Sequence, residues 1–538
     1  MNKFFQAIVI HRGEKRARAL LQNAMAPELA QEDILREILS AHSQTEYGLK
    51  NQFHACRKSA DFKERIQRQD YESLRSYVER MANGESNILA PGRPFMFNLT
   101  SGTTSKPKMI PVTAKFDKVG ASLMQGWLAR SILDHKGMFS GQSLGITSPE
   151  TEGYTQSGIP FGSTSGRIYK RIPFFLRSTY AVPYWVSEIQ DYDERYYAIA
   201  RLSLELNVTF VTSPNPSTLL RLSNVISGRT PDLIRDIHDG SLSISDRLVQ
   251  GSFRRSKNPR RAKELEHFLN ASGTLKPSDA WPQLALVGCW LGGTVGSLST
   301  KVRADYGEHV PLRDLGYLAS EGRFTLPIED NTAFGFPDIE NNFFEFVPVD
   351  EIENPGSKTL LIHELEEGKS YYFFVTNWSG LYRYDMNDIV EVGPRIGNTP
   401  TLRFLRKGRD MGNITGEKLH ANQCIEAMQS LGLDAVFFRF WPDQENSCYH
   451  VFIEDEDGRF DPRAIDAALK KMNIEYDAKR NSGRLGDLKI HRMRKGWAEA
   501  EKRAALLSGQ REVQYKWKVI GEALSPQSEI GFNQVIKK

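Results

Sequence analysis

The strongest constraint on this chain is a change in the period of its apolar residues. From residue 14 to about 90 they recur at roughly helical spacing, with Ile34, Ile38 and Leu39 as markers, and Gly and Pro are few. From about residue 95 the period shortens. Apolar runs at Ser143 to Thr147, Val208 to Thr212 and Leu284 to Gly288 alternate with helical segments such as Tyr192 to Leu206. Strands alternating with helices demand a sheet covered by helices, which sets the fold class as α/β behind a helical N-terminal lead-in. Between Asn342 and Val392 the β-type runs crowd together (FFEFVPV, TLLIHEL, SYYFFVTN, GLYRYDMNDIVEV). That crowding predicts an antiparallel meander or small β-barrel closing the large domain. Beyond about residue 410 the texture changes again. A helix is expected at Ala421 to Leu431, strands at Ala435 to Phe440 and Tyr449 to Glu454, and a helix at Pro462 to Met472.

Length agrees with a division there, because 538 residues exceed what one ordinary core holds. The expectation is a large domain over residues 1–410 and a smaller α+β lid over 411–538, joined by a short hinge near 405 to 415. A net charge of +4 over the whole chain gives no general argument for nucleic acid or an anionic membrane. The one dense basic run, Arg254, Arg255, Lys257, Arg260, Arg261 and Lys263, is followed at once by Glu264 and Glu266, as on a solvated helix. Cys56, Cys289, Cys424 and Cys448 are too scattered for a disulfide framework or a CxxC metal pair, which leaves reduced interior residues. The apolar run from Phe4 to Ile10 is too short and too polar at its flanks for a signal peptide or membrane span, so the expected compartment is cytoplasmic. Nothing in the sequence bears on oligomeric state.

Several segments carry chemistry. Phe97 to Thr113, FNLTSGTTSKPKMIPVT, reads as strand, loop, strand, with Thr100, Ser101, Thr103 and Thr104 around Gly102. Backbone N–H groups and small hydroxyls in such a loop suit a triphosphate. No Gly-Lys-Ser/Thr follows at the spacing of a Walker A loop, and an ordinary polar hairpin fits the same residues. In Gly316 to Phe324, GYLASEGRF, Glu321 sits among small residues where one carboxylate can hold Mg²⁺ against phosphates, or is a surface glutamate near a turn. Asp388, in GLYRYDMNDIVEV, can accept hydrogen bonds from both ribose hydroxyls, or is a hairpin-turn aspartate. Lys407 lies in the basic turn FLRKGRDMGNITGEKL at the hinge, and VQYKWKV offers Lys516 or Lys518 as a positive charge from the small domain.

In order, a hydroxyl-rich loop, Tyr-x-x-Ser-Glu, Leu-Tyr-Arg-Tyr with Asp, and Gly-Glu-Lys-Leu resemble the Gretchen Hagen family of acyl-acid amido synthetases, relatives of firefly luciferase and acyl-CoA ligases. QTEYG at 44 to 48, the region from Phe62 to Gly84 and FFEFVP at 343 to 348 extend the resemblance over nearly the whole chain. It implies an ATP-dependent ligase that activates a carboxylic acid as its acyl-AMP, releases pyrophosphate and passes the acyl group to an amine such as an amino acid. It further implies that Ser101, Thr103 and Thr104 hold ATP phosphates, that Tyr317 lies by the adenine with Ser320 in the same nucleotide site, and that Glu321 binds Mg²⁺. Asp388 would bind the ribose, Lys407 would stand at the hinge contact, and Lys516 would be the catalytic lysine of the lid. Three positions depart from the family pattern: Ser105 and Asn387 stand where glycine is usual, and Lys407 stands where arginine is. The first two stiffen turns, and the third replaces a forked donor by a point charge. An acyl-CoA ligase with a thiol acceptor and a non-catalytic acyl- or nucleotide-binding regulator are the alternatives. The acid and the amine are not named by the sequence, although aromatic and Gly-rich stretches at 153 to 166 and 290 to 294 suit a concave apolar pocket.

Overall fold

A computed structural model describes residues 3–100, 108–147, 150–162, 164–171, 177–189, 191–245, 253–293, 296, 298–352, 354, 356–408, 411–433, 437–455, 460–494, 496–498, 500–501 and 519–521. The chain divides into two compact units, one of Met1–Thr100 with Met109–Arg406, the other of Ser101–Lys108 with Lys407–Lys538.

The first unit begins with the helices Lys3–Ala24, Pro27–His42, Glu46–Lys50, Ser59–Arg65 and Tyr71–Ala82. Their starts are chemically marked. Pro27 opens its helix, and Thr45 and Asp70 accept hydrogen bonds from Gly48 N and Ser73 N at the next two caps named. Their apolar stripes, including Ile34, Ile38, Leu74 and Val78, enter one core with Phe343, Phe346, Phe373 and Tyr384 from the antiparallel sheet. That sheet orders Phe343–Pro348, Ser370–Thr376, Tyr384–Ile396 and Thr399–Lys407 side by side. A parallel sheet of Gln142–Gly145, Val208–Thr212, Leu286–Gly288 and Leu312–Arg313 holds the second core with flanking helices. A third sheet sets Met96–Thr100 between Lys108–Val112 and Pro160–Gly162.

The expected α/β class and the β-rich closing sheet are therefore present, with local differences. The helix from Tyr192 stops at Ser203, whose hydroxyl turns back to the Ile199 carbonyl at 2.7 Å. TLLIHEL forms a single bridge, Leu360 with Phe346, and then a 3-10 turn at Ile362–Glu364, because the Glu364 carboxylate accepts from Leu361 N at 2.6 Å. The basic run lies on and before the helix Pro259–Ser272. Arg260 pairs with Glu264, and Arg261 also donates to the Leu204 and Ala280 carbonyls, so these cations serve packing and solvation.

The second unit has its own core of Leu419, Cys424, Met428, Phe440, Val451, Ile465 and Leu469. Helices Ala421–Ser430 and Pro462–Met472 and the strand Cys448–Glu454 follow the expected pattern, whereas the strand expected at Ala435 to Phe440 is Phe438–Asp443, with 434–436 outside the described residues. The helix Ile474–Asn481 and a parallel strand, Lys489–Met493 beside Cys448–Glu454, were not foreseen. All four cysteines are buried and none forms a disulfide. Among the described residues no helix is long and apolar enough to cross a membrane.

Candidate active site

Glu321 occupies the two-residue turn Ser320–Glu321 of a small hairpin, Leu318–Ala319 paired with Gly322–Arg323. The approach to this hairpin requires glycine. Gly316 has φ +88°, and a Cβ there would lie 2.3 Å from the Thr325 carbonyl oxygen. The turn is tied to the strand that leads into the hydroxyl-rich loop. Ser320 Oγ donates to the Leu99 carbonyl at 2.9 Å, and Asn98 Nδ2 donates to the Ser320 carbonyl at 3.0 Å. From the other side Asn377 Nδ2 donates to the Glu321 carbonyl at 2.8 Å, while its Oδ1 accepts from Ser379. The backbone at Glu321 is thereby held from two directions. Its side chain is 7% exposed, and no hydrogen bond or ion pair reaches the carboxylate among the described residues. A largely buried carboxylate with no cation paired to it among the described residues is a donor that a hard divalent ion accepts, so the residues present fit Mg²⁺.

Asp388 is not at a hairpin turn. It lies inside the strand Tyr384–Ile396, 2% exposed and opposite Phe373. The reason is a bulge: Phe373 pairs with Asp388 but Phe374 pairs with Asp385, so Met386 and Asn387 are extra. Asn387 takes φ +49° and its N–H donates to Asp385 Oδ1 at 2.7 Å. Asparagine tolerates the left-handed region better than other residues bearing a side chain, so this departure from glycine matches the backbone that the site uses.

Tyr317 and Asp388 are in contact: the phenol donates to Asp388 Oδ2. Tyr317 is buried among Phe324, Phe373 and Phe404, with ring centroids 5.0, 5.2 and 5.6 Å away. Burial, then the charge of Asp388, raises its pKa well above the ordinary tyrosine value, so the phenol stays a donor. The structure thus unites Tyr317, Ser320, Glu321 and Asp388, which lie up to 71 residues apart in sequence. Lys407 ends the strand Thr399–Lys407 and belongs to the second unit. Ser101, Thr103, Thr104, Ser105, Lys516 and Lys518 lie outside the described residues.

Sequence reasoning missed four participants. Asn98 and Asn377 clamp the turn. Arg323 lies over Gly120, and its buried Nη1 has no hydrogen-bond partner among the described residues. Burial, and then the neighbouring Arg167, lower the Arg323 pKa to about 10. Arg167 itself pairs with Asp117 at 3.3 Å. An arginine directly after the Ser-Glu-Gly turn was the visible signal for the first of these cations. The Leu-Tyr-Arg-Tyr segment plays a structural part. Arg383 makes a buried ion pair with Glu345 at 2.9 Å and donates to the Ile66 carbonyl at 2.6 Å, while Tyr382 stacks on Tyr47 at 4.9 Å.

The descriptions matching this chain are those of the GH3 family: its N-terminal domain over residues 16–312, its central domain over 336–407 and its C-terminal domain over 420–523. The chain belongs to the GH3 family. An indole-3-acetic acid-amido synthetase of Arabidopsis thaliana is 25% identical over 502 residues, covering 86% of this chain and 84% of that protein. A 4-substituted benzoates-glutamate ligase of the same plant is 24% identical over 554 residues, covering 94% of each. A solved GH3 acyl acid amido synthetase in complex with 2,4-DB superposes with a TM-score of 0.66 at 21% identity, covering 97% of this chain and 96% of that one. This GH3 chain shares the fold of that structure, and the resemblance drawn from its motifs is borne out at the level of the family.

Proposed function

We propose that this GH3 chain is an ATP-dependent acyl-acid amido synthetase that joins a carboxylic acid to an amino acid through an acyl-adenylate. The carrying observation is that the Ser320–Glu321 turn is hydrogen-bonded to the strand leading into the hydroxyl-rich loop, while Tyr317, just before that turn, holds Asp388. The names of the relatives, an amido synthetase and a glutamate ligase, support the amide product and the amino acid acceptor.

A carboxylate does not acylate amines at neutral pH, because the departing group would be oxide. Attack of the acid on the α-phosphate of ATP converts that oxygen into part of AMP and releases pyrophosphate. In this reading Asp388 accepts hydrogen bonds from the ribose hydroxyls, and Tyr317 orients its carboxylate. Ser101, Thr103 and Thr104 surround the phosphates. Glu321 holds Mg²⁺, which when bound offsets negative charge on the phosphates. The buried Nη1 of Arg323, without a hydrogen-bond partner among the described residues, makes the neighbourhood of the turn favourable for an anionic substrate. The second unit, with a core of its own, moves as a lid from a hinge near residue 410 and brings Lys516 to the reacting groups. Lys407 contributes positive charge at that hinge. An ATP-consuming enzyme with four unpaired, buried cysteines suits the cytoplasm.

The test is exchange of labelled pyrophosphate into ATP across a panel of carboxylic acids, followed by product analysis with amino acids and with coenzyme A. Acid-dependent exchange and an amide product are expected. No exchange with any acid would remove the adenylation reading, and a thioester would move the chain to the acyl-CoA ligases.

A further inference from the structure

The small unit contains a side-chain cluster that adenylation does not use. Strands Phe438–Asp443 and Cys448–Glu454 form a hairpin in which Asp443 faces Cys448 and Trp441 faces His450. Side chains alternate along a strand, so residues 441, 443, 448 and 450 all project from the same face. A carboxylate, a thiol and an imidazole are thus gathered by register alone. Their donor atoms lie within 4.8 Å of one another, and Asp443 Oδ2 is 3.1 Å from His450 Nε2.

We propose that Asp443, Cys448 and His450 form a binding site for a divalent transition-metal ion of the zinc or cobalt class. Bonds of about 2.0 to 2.3 Å in a tetrahedral site separate the donors by roughly 3.3 to 3.7 Å. The cluster reaches that spacing by side-chain adjustments on the order of 1 Å. The surroundings support each ligand. Asp443 is fixed by Asn446, whose N–H and Nδ2 donate at 3.1 and 2.7 Å. With the metal on His450 Nε2, the other ring nitrogen stays 2.7 Å from His491 Nε2, and the two imidazoles stack at 4.9 Å with planes 7° apart. A hydrogen-bonded distal nitrogen is the arrangement that orients a metal-bound histidine.

The mixed sulfur, nitrogen and oxygen set selects against Mg²⁺, which takes oxygen ligands, so this site differs in kind from Glu321. Three protein ligands leave a fourth position for water or a small anion. Burial raises the pKa of the Cys448 thiol and Asp443 adds to the rise, while Lys489, which hydrogen-bonds the sulfur, and Arg480 act the other way. Lys489 is exposed on its strand and has room to withdraw toward solvent. On binding, the Cys448 thiol releases its proton to solvent and the thiolate bonds to the ion, with no redox change.

The experiment titrates Co²⁺ into the untagged, metal-stripped full-length chain. One equivalent is expected to bind with a sulfur-to-cobalt charge-transfer band and visible bands of tetrahedral intensity, which one equivalent of Zn²⁺ abolishes. Cys448→Ser removes the charge-transfer band, and His491→Phe weakens binding by about 10- to 100-fold. Circular dichroism and Glu321→Gln serve as controls, the latter binding Co²⁺ unchanged. Absence of the charge-transfer band in the folded parent chain overturns the proposal, as does its persistence in a folded Cys448→Ser chain. Should Cys448→Ser fail to fold, Asp443→Asn and His450→Gln decide. Unchanged affinity in both overturns the site, and at least a tenfold loss in each sustains it.

Discussion

Replacing Tyr317 by Phe isolates the hydroxyl that holds Asp388. The ring keeps its places against Phe324, Phe373 and Phe404, so the loss is one hydrogen bond to a buried carboxylate that is 2% exposed. A hydrogen bond to a charged group contributes about 1.5 to 3 kcal/mol, or roughly 10- to 150-fold in an equilibrium constant. If Tyr317 acts by orienting Asp388, that amount appears as weaker ATP binding only while Asp388 is present. Asp388→Ala alone should weaken ATP binding by at least this much, because ribose hydrogen bonds to the carboxylate disappear. The double variant should bind ATP no more weakly than Asp388→Ala. Calorimetric titration of ATP into the four proteins closes the cycle, and a coupling of about 1.5 to 3 kcal/mol is expected. Additive effects within about 0.5 kcal/mol would show that the two residues act independently and would refute the reasoning.

Glu321→Gln keeps the volume but removes the charge. Adenylation at limiting Mg²⁺ should fall at least roughly tenfold with an unchanged melting profile, and full activity there would exclude the metal role. Arg383→Met leaves the Glu345 carboxylate, 1% exposed, with the Thr359 hydroxyl and a longer Lys63 pair at 3.9 Å, so urea unfolding should show a loss of about 2 to 4 kcal/mol that Glu345→Gln in the same chain partly restores. A loss under about 1 kcal/mol would mean that the pair does not anchor the helical lead-in. Lys516→Ala should slow adenylate formation by about 10² to 10⁴ while sparing amide formation from supplied acyl-adenylate. Equal loss in both half-reactions would mean that the lysine is structural or serves throughout, and no loss in either would make Lys518 the candidate.

Glu321 and Asp388 stood out in the sequence because each sits in a short segment whose order along the chain is distinctive. Their environment was not legible. The clamp on the Ser320–Glu321 turn comes from Asn98 and Asn377, and single asparagines near strand ends have no periodic signal. Asp388 also looked like a turn residue, since Asn-Asp after an aromatic run is ordinary turn chemistry. Only pairing with Phe373 reveals a bulged strand, and such pairing is a long-range property. The strand Lys489–Met493 escaped for a related reason. Its run KIHRM is short and polar, and it becomes a strand by adding in parallel to Cys448–Glu454. Arg323 was readable as a residue but not as a buried cation whose Nη1 lacks a hydrogen-bond partner among the described residues, because its neighbour Gly120 is distant in sequence.

The bulge before Asp388 also makes a demand on residue type. Two residues, Met386 and Asn387, are inserted opposite no partner, and two is an even number. Side chains on either side of the insertion therefore keep the same in-and-out alternation across the sheet. Deleting one of the two would leave an ordinary one-residue bulge, which a strand accommodates with its alternation intact on both sides. What the segment holds fixed is the left-handed turn: at 387 the chain takes φ +49°, and the residue there must tolerate it for Asp388 to fall opposite Phe373. Replacing Asn387 by a β-branched residue would therefore disturb the pairing of Asp388 more than any change of type at Met386.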